Sequence, residues 1–204
     1  NMSEGRAPAA AYSRVLVPLG GSGFSEQVLP HAMKLARVLG ANINLIRIYH
    51  DAESDWAHPT HGLFLDQIDA GIRSDIIDYL HSVQKSVESI PCSYSGDMTC
   101  LTEGGDPAFG IVEEAKKVPG TLVAMSTHGR SGVGRWLMGS VTDRVLHATG
   151  TPLLIFRCQP GENTAPETDF QRVIVPLDGS VLAEESLPHL KALAQGLTIT
   201  AVLV

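Results

Sequence analysis

"RVLVPLGGSGFSEQVLPHAMKLARVLGANINLIRI", Arg14 to Ile48, is the stretch that decides the fold. Its opening run, Arg14–Leu19, is short, branched and apolar, and it stops at Gly20-Gly21. That is the pattern of a buried strand. Apolar residues then recur at Val28, Leu29, Ala32, Leu35, Ala36 and Leu39, the spacing of one helix over Ser25–Leu39. Gly40 stands where a C′ glycine ends a helix. "NINLIRI", Asn42–Ile48, reads as a second strand. Strand, helix and strand in this order build a parallel pair with a helical crossover.

The alternation continues outward. A loop is expected over His50–Leu63, then a long amphipathic helix from Leu65, stopped by Pro91. A strand follows around Met98–Thr102, then a helix with Pro107 near its start and Lys117 at its end. Thr121–Ser126 is a continuous apolar strand, Gly139–Thr149 a helix, and Thr151–Phe156 a fifth strand. Strands apolar on both sides need cover on both sheet faces. The expected class is therefore α/β: a doubly wound five-stranded parallel sheet, Rossmann-like, in three α/β/α layers.

The opening stretch is written twice. "RVIVPLDGSVLAEESLPHL", Arg172–Leu190, repeats it 158 residues later. A second helix over Ala183–Gln195 and a strand over Thr198–Val204 are expected, although "AQGLTITAVLV" reads as shorter than "ARVLGANINLIRI". One pair of matched positions differs in chemistry: Gly20 faces Asp178. "QPGENTAPETD", Gln159–Asp169, has linker composition. The expected organisation is an unstructured segment 1–13, a domain 14–158, a linker 159–170, and the start of a second domain at 171–204. A lone strand–helix–strand piece cannot cover a sheet by itself. It needs further chain, the first domain or another molecule.

Bulk composition narrows the function classes. The chain has 204 residues, 44% hydrophobic and 5% aromatic, and a formal net charge of −7. No basic face is evident, so a nucleic-acid partner is not expected. The three cysteines lack a CxxC spacing and fit a reducing compartment. No apolar run has membrane-spanning length, so no membrane partner and a cytoplasmic location are expected.

Open parallel sheets bind ligands beyond the carboxyl ends of their strands. Two such ends are rich in glycine: Gly20–Gly23 after the first strand, and Ser126–Val145 after the fourth. The second leads into a helix opening at Gly139-Ser140. Glycine backbone and free helix N–H groups can hold a phosphate without a lysine. The plain alternative is a helix cap with no ligand. A P-loop, a dinucleotide fingerprint and a nucleophile elbow all fail on spacing. "HPTH", His58–His61, could hold a metal with Asp51, Glu53 and Asp55, but a solvated loop is the simpler reading. No metal site is expected. Among the histidines, only His128 is linked to ligand contact, because it lies inside the glycine-rich loop.

"MSTHGRSGVGRWLMGSVTDRVLHATGTPLLIF" resembles the universal stress protein family, whose signature is G-x2-G-x9-G-[ST]. Here Ser126 takes the first glycine position, Gly129 the second, and Gly139-Ser140 close the motif. The likeness covers Arg14–Arg157 and resumes at Arg172, as in a tandem member with an incomplete second repeat. The resemblance implies an adenine nucleotide α-hydrolase-like fold, often dimeric, and binding of ATP or AMP, with Mg a possible companion. It places phosphate contacts at Ser126, Gly129, Gly139, Ser140 and Val141, and nucleoside contacts at Pro18, Gly20, Ile48 and Met125. Members that bind nucleotide carry Asp where Gly20 stands, so this chain departs from the pattern there.

Three functions compete. The first is a stress-response or regulatory protein that binds adenine nucleotide. The second is an interaction module of the same fold without nucleotide, which the loss of Asp at position 20 favours. The third is a slow ATPase, ranked last because no general base or metal pair is evident. The last strand of the sheet is an edge that needs cover, so pairing with a second copy or a tandem domain is expected.

Overall fold

A computed structural model of the chain describes residues 12–49, 62–88, 94–128, 139–158 and 170–204. The "HPTH" segment, Gly129, and most of the expected N-terminal and linker segments lie outside these residues. Five parallel strands form one sheet: β1 (Arg14–Pro18), β2 (Asn42–Tyr49), β3 (Met98–Gly104), β4 (Thr121–His128) and β5 (Leu153–Cys158). Their order is β3-β2-β1-β4-β5, so the winding reverses between β1 and β4. In register, Arg14 faces Asn42 on one side and Thr121 on the other.

Alternation along β1 sorts the two faces. Val15 and Val17 join a core with α2 (Leu29–Leu39) and α3 (Gly62–Glu88). Leu16 points the other way, into a core with α4 (Pro107–Lys117) and α5 (Ser140–Ala148). All three are fully buried. Each supplies about 1.5–3 kcal/mol of hydrophobic stabilisation relative to exposure. This is the doubly wound three-layer class that the strand pattern predicts.

The single helix expected over Ser25–Leu39 is two: α1 (Gly23–Glu26) and then α2. Pro30 explains the break. It has no N–H to donate, its ring would collide with the Glu26 carbonyl, and it sits in the first turn of α2, where neither matters. Gly40 ends α2 at φ +64, as its position predicts. The long helix begins at Gly62, inside the segment expected to be loop, and β5 lies later than expected, from Leu153.

The C-terminal segment repeats this design. It runs β6 (Arg172–Val175), α6 (Val181–Glu184), α7 (Leu187–Ala194) and β7 (Thr200–Leu203), with β6 and β7 parallel. Pro188 breaks its helix as Pro30 does, so the single helix expected over Ala183–Gln195 is also two. Arg172 faces Thr200 as Arg14 faces Asn42. Matching backbone bonds recur, Leu19 N–H to Ile46 O at 2.8 Å and Leu177 N–H to Val204 O at 2.6 Å. The repeat therefore keeps its spacing through β7, and 194–204 is not the shortened stretch it resembles. Ile174 and Leu203 are more than half exposed on this small sheet.

The C-terminal segment rests on the first domain. The ring of His31 in α2 is 4.1 Å from that of Phe156 in β5 and 5.9 Å from that of Phe170. Leu193 and Leu197 pack on the same core. The Tyr12 hydroxyl and His189 Nδ1 share a 2.6 Å hydrogen bond. Tyr12 and Ser13, within the segment expected to lack structure, are thus held. Ser13 N–H also donates to Gly120 O at 3.0 Å.

Candidate functional site

The carboxyl ends of β1, β2 and β4 surround a cavity of about 830 Å³ at the point where the winding reverses. This is where the topology of an open parallel sheet puts a crevice. Pro18, Gly20, Ile48, Met125, Ser126, Gly139, Ser140 and Val141 all line it. His128 ends β4, and its side chain, like Gly129, lies outside the described residues.

The α5 end of the cavity is built for anions. Gly139 is the N-cap of α5, and no side chain caps the helix there. The first intrahelical bond is Asp143 N–H to Gly139 O at 2.9 Å, which leaves the earlier N–H groups without a helical acceptor. Those groups and the helix dipole favour negative charge at this end. Among the described residues, nothing lies within 4 Å of a Cβ built on Gly139, so none of them crowds this turn. Two longer bonds tie this turn to β4: Gly139 N–H to Thr127 Oγ1 and Thr142 Oγ1 to the Ser126 carbonyl, each 3.4 Å.

Ser126 fits its place. Among the described residues no non-glycine backbone has positive φ, so the serine that replaces the first motif glycine carries no strain there. Apolar walls complete the cavity. Met125 is buried, and Gly110 of α4 lets that helix come close to Ile48, since a Cβ there would lie 2.7 Å from Ile48 Cδ1. Pro107 and Ile111 of α4 face the same space. A flat base could sit between such walls with its phosphate at α5.

One support has no motif. Asp106 is the N-cap of α4 and accepts from Phe109 N–H at 2.9 Å. Arg144 of α5 grips the same carboxylate through Nη1 and Nη2, at 2.8 and 2.9 Å. These hydrogen bonds, led by Arg144, hold Asp106 below the usual carboxylate range. The bridge joins the two helices at the cavity rim and neutralises an acid beside Pro107. Its residues are 38 apart in sequence, so no local pattern reveals the pair.

The first-strand loop is arranged differently. Gly20 N–H donates to Ser25 Oγ at 3.1 Å, and Ser25 donates onward to the Ser22 carbonyl at 2.7 Å. Gly21 follows at φ +81, a conformation that favours glycine. Arg47 and Tyr49 bring polar groups of β2 to this end of the cavity. Beneath them, Tyr79 donates to Glu26 Oε1 at 2.8 Å. Burial and the Glu26 carboxylate push the Tyr79 phenol up to about 12.

Comparison with known proteins agrees with this architecture. The sequence profile of the universal stress protein family matches residues 11–157. The chain belongs to the universal stress protein family. A universal stress protein of Methanocaldococcus jannaschii is 28% identical over 146 residues, which cover 72% of this chain and 82% of the relative. YxiE of Bacillus subtilis is 24% identical, covering 72% and 99%. A Mycobacterium tuberculosis relative is 27% identical over 74% of this chain, which spans only 47% of that longer protein.

Solved universal stress proteins share the fold. One from Archaeoglobus fulgidus superposes with a TM-score of 0.60 at 17% identity, over 93% of this chain and 77% of that one. UspA of Lactobacillus plantarum gives 0.59 at 21% identity, over 72% and 99%. A universal stress protein solved in complex with cAMP gives 0.53 at 21% identity, over 73% and 99%. Among the described residues of this chain, no helix is long and apolar enough to cross a membrane.

Proposed function

We propose that this universal stress protein is a regulatory, nucleotide-binding member that holds ATP or AMP across the loops after β1 and β4. The open N-terminus of α5 on an apolar-walled cavity carries this reading. Phosphate would meet the backbone of Gly139, Ser140 and Val141, with Ser126, Gly129 and His128 on the adjoining loop. The nucleoside would lie against Pro18, Gly20, Ile48 and Met125. The cAMP complex of a protein with this fold supports an adenine nucleotide as occupant. A bound Mg ion would add charge neutralisation at the phosphates.

Calorimetric titration of the intact chain with ATP and AMP tests the reading. Gly139→Val is the informative variant, because among the described residues its Cβ would meet nothing within 4 Å. Loss of binding with unchanged thermal stability is expected. No binding to the unaltered chain at millimolar nucleotide sinks the proposal, and full binding by Gly139→Val moves the site elsewhere.

The absence of Asp at position 20 favours a second reading, an interaction module that acts without nucleotide. Under either reading, residues 171–204 are proposed to begin a second universal stress protein unit after a linker. The edge strand β5 is proposed to pair with a second copy or a tandem partner, in the cytoplasm. Light scattering on the purified chain tests the pairing, and a strict monomer at all concentrations contradicts it.

A further inference from the structure

The nucleoside end of the cavity holds a positive charge that the nucleotide reading does not use. Along β2, Ile46 and Ile48 face the α4 core, while Leu45 and Tyr49 face α2 and α3. Arg47 alternates with the second pair, and its guanidinium lies 5.3 Å over the Tyr79 ring. The same guanidinium lies against Gly21. A Cβ at residue 21 would be 2.5 Å from Nη1, 2.7 Å from Cζ and 2.8 Å from Nη2. Gly179, the matching glycine of the repeat, has the same φ of +81 and nothing within 4 Å of such a Cβ. Among the described residues, the Arg47 guanidinium makes no ion pair and meets no hydrogen-bond acceptor. Glu26, which accepts from the same Tyr79 at 2.8 Å, is engaged by the phenol.

Two anion-attracting elements therefore stand at opposite ends of one cavity. The α5 N-terminus lies on the α4 side of the sheet, and Arg47 on the α2 and α3 side, with the first-strand loop between them. A neutral ribose and base would give the guanidinium no negative charge to pair with. An acid beside the ribose suits a ribose hydroxyl, whereas an arginine there suits a ribose phosphate. This chain has Gly20 in place of the acid and Arg47 beside it. A guanidinium pre-placed by an aromatic ring and a glycine matches the two oxygens of a phosphate.

Resting on the adenine-nucleotide reading, we propose that the preferred ligand carries two separate phosphates. One is the 5′-phosphate at α5. The other is a phosphate on the ribose 2′ or 3′ oxygen, held by Arg47. Arg47 is then a specificity-determining residue, and the loss of Asp at position 20 is a change of preference.

The test is calorimetry of the full chain with AMP, adenosine 2′,5′-bisphosphate and adenosine 3′,5′-bisphosphate. One of the two bisphosphates is expected to bind about tenfold or more tighter than AMP, and which one identifies the ribose oxygen. Arg47→Gln is expected to remove that advantage and leave AMP affinity within about twofold. Gly20→Asp, which keeps Arg47, gives a second readout: its carboxylate would compete for the guanidinium and cut the bisphosphate preference. Equal binding of AMP and both bisphosphates overturns this inference and leaves the nucleotide reading standing. Arg47→Gln weakening all three ligands alike also overturns it. No binding of any ligand at millimolar concentration overturns both.

Discussion

Arg144 of α5 and Asp106 at the start of α4 form a two-pronged bridge, 2.8 and 2.9 Å long, at the rim of the cavity. It does two things at once. It ties down the helix whose N-terminus faces the cavity, and it neutralises a carboxylate beside Pro107, which lines that cavity. Arg144→Ala should therefore weaken AMP binding by about three- to tenfold, through looser placement and an exposed acid. Adding Asp106→Asn removes the acid and should recover part of the loss. Calorimetry on the two variants separates the effects. Unchanged affinity in Arg144→Ala would show that α5 needs no such support.

Asp106 itself also caps α4, so Asp106→Ala should lower stability by about 1 kcal/mol, the typical loss of an N-cap. Urea unfolding reads this directly. A variant as stable as the parent would mean that the bond from Phe109 N–H is replaced by water at no cost.

Position 20 can be filled. Among the described residues, the one atom within 4 Å of a Cβ there is Ser25 Oγ, at 4.0 Å. Gly20→Asp should thus fold normally and gain a carboxylate that can accept from ribose hydroxyls. A hydrogen bond to a charged group is expected to tighten AMP binding by about tenfold. No gain by calorimetry, with thermal stability intact, would remove Gly20 from the nucleoside site.

The repeat shows what the sequence makes legible and what it hides. Element order and face alternation follow from local spacing, so the sheet can be read from β1 and β2 alone. Pro30 and Pro188 mark breaks that apolar spacing conceals, since Val28 and Leu29 continue the pattern across the turn. Asp178 stands where nucleotide-binding members carry their acid, and its Oδ1 accepts from Ser180 N–H at 2.9 Å. It caps its own turn, and hydrogen bonds from the Ser180 hydroxyl and N–H hold it below the usual carboxylate range. Gly21 forms the same φ +81 turn without any such acid. Eight of the expected site residues reach the cavity because strand ends and motif glycines are local signals. Arg47 and the Asp106–Arg144 bridge are missed because their meaning depends on neighbours distant in sequence.

At the opposite pole of the sheet, Arg14 and Glu114 form a buried ion pair of 2.8 Å. Arg14 also donates to Thr121 Oγ1 and to the Glu114 carbonyl, and Lys117 reaches Glu114 Oε2 at 2.8 Å. Burial pushes the Glu114 carboxyl up, but hydrogen bonds from Lys117 and Arg14 more than offset it and hold it below the usual range. Its folded pKa is lower than its unfolded one. Its contribution is therefore present above the carboxylate range and lost as pH falls below about 4.3 through the lowered folded value. Glu114→Ala should cost about 3 kcal/mol near neutral pH, because it strands the guanidinium with weaker partners. Glu114→Gln should flatten the acid limb of the stability curve. Parallel acid limbs for parent and variant would assign that limb to other carboxylates.

The contact between Tyr12 and His189 bolts the chain preceding β1 to α7, 177 residues away in sequence. Burial pushes the Tyr12 phenol up, so it keeps its proton well past neutral pH. Tyr12→Phe removes the hydroxyl from this bond and should cost about 1 kcal/mol, felt in the docking of α7 rather than in the sheet. Hydrogen exchange should accelerate at the amides of α7 while β1 and β4 keep their protection. Gly196 offers a second handle on the same interface. A Cβ there would lie 2.8 Å from Val38 Cγ1 and 3.2 Å from the Val38 carbonyl, so Gly196→Val must push α7 away from α2. The two variants attack the interface at different places, and both should loosen α7 with little effect on the five-stranded sheet. Loosening of β1 and β4 together with α7 would show instead that the C-terminal segment and the first domain unfold as one cooperative unit.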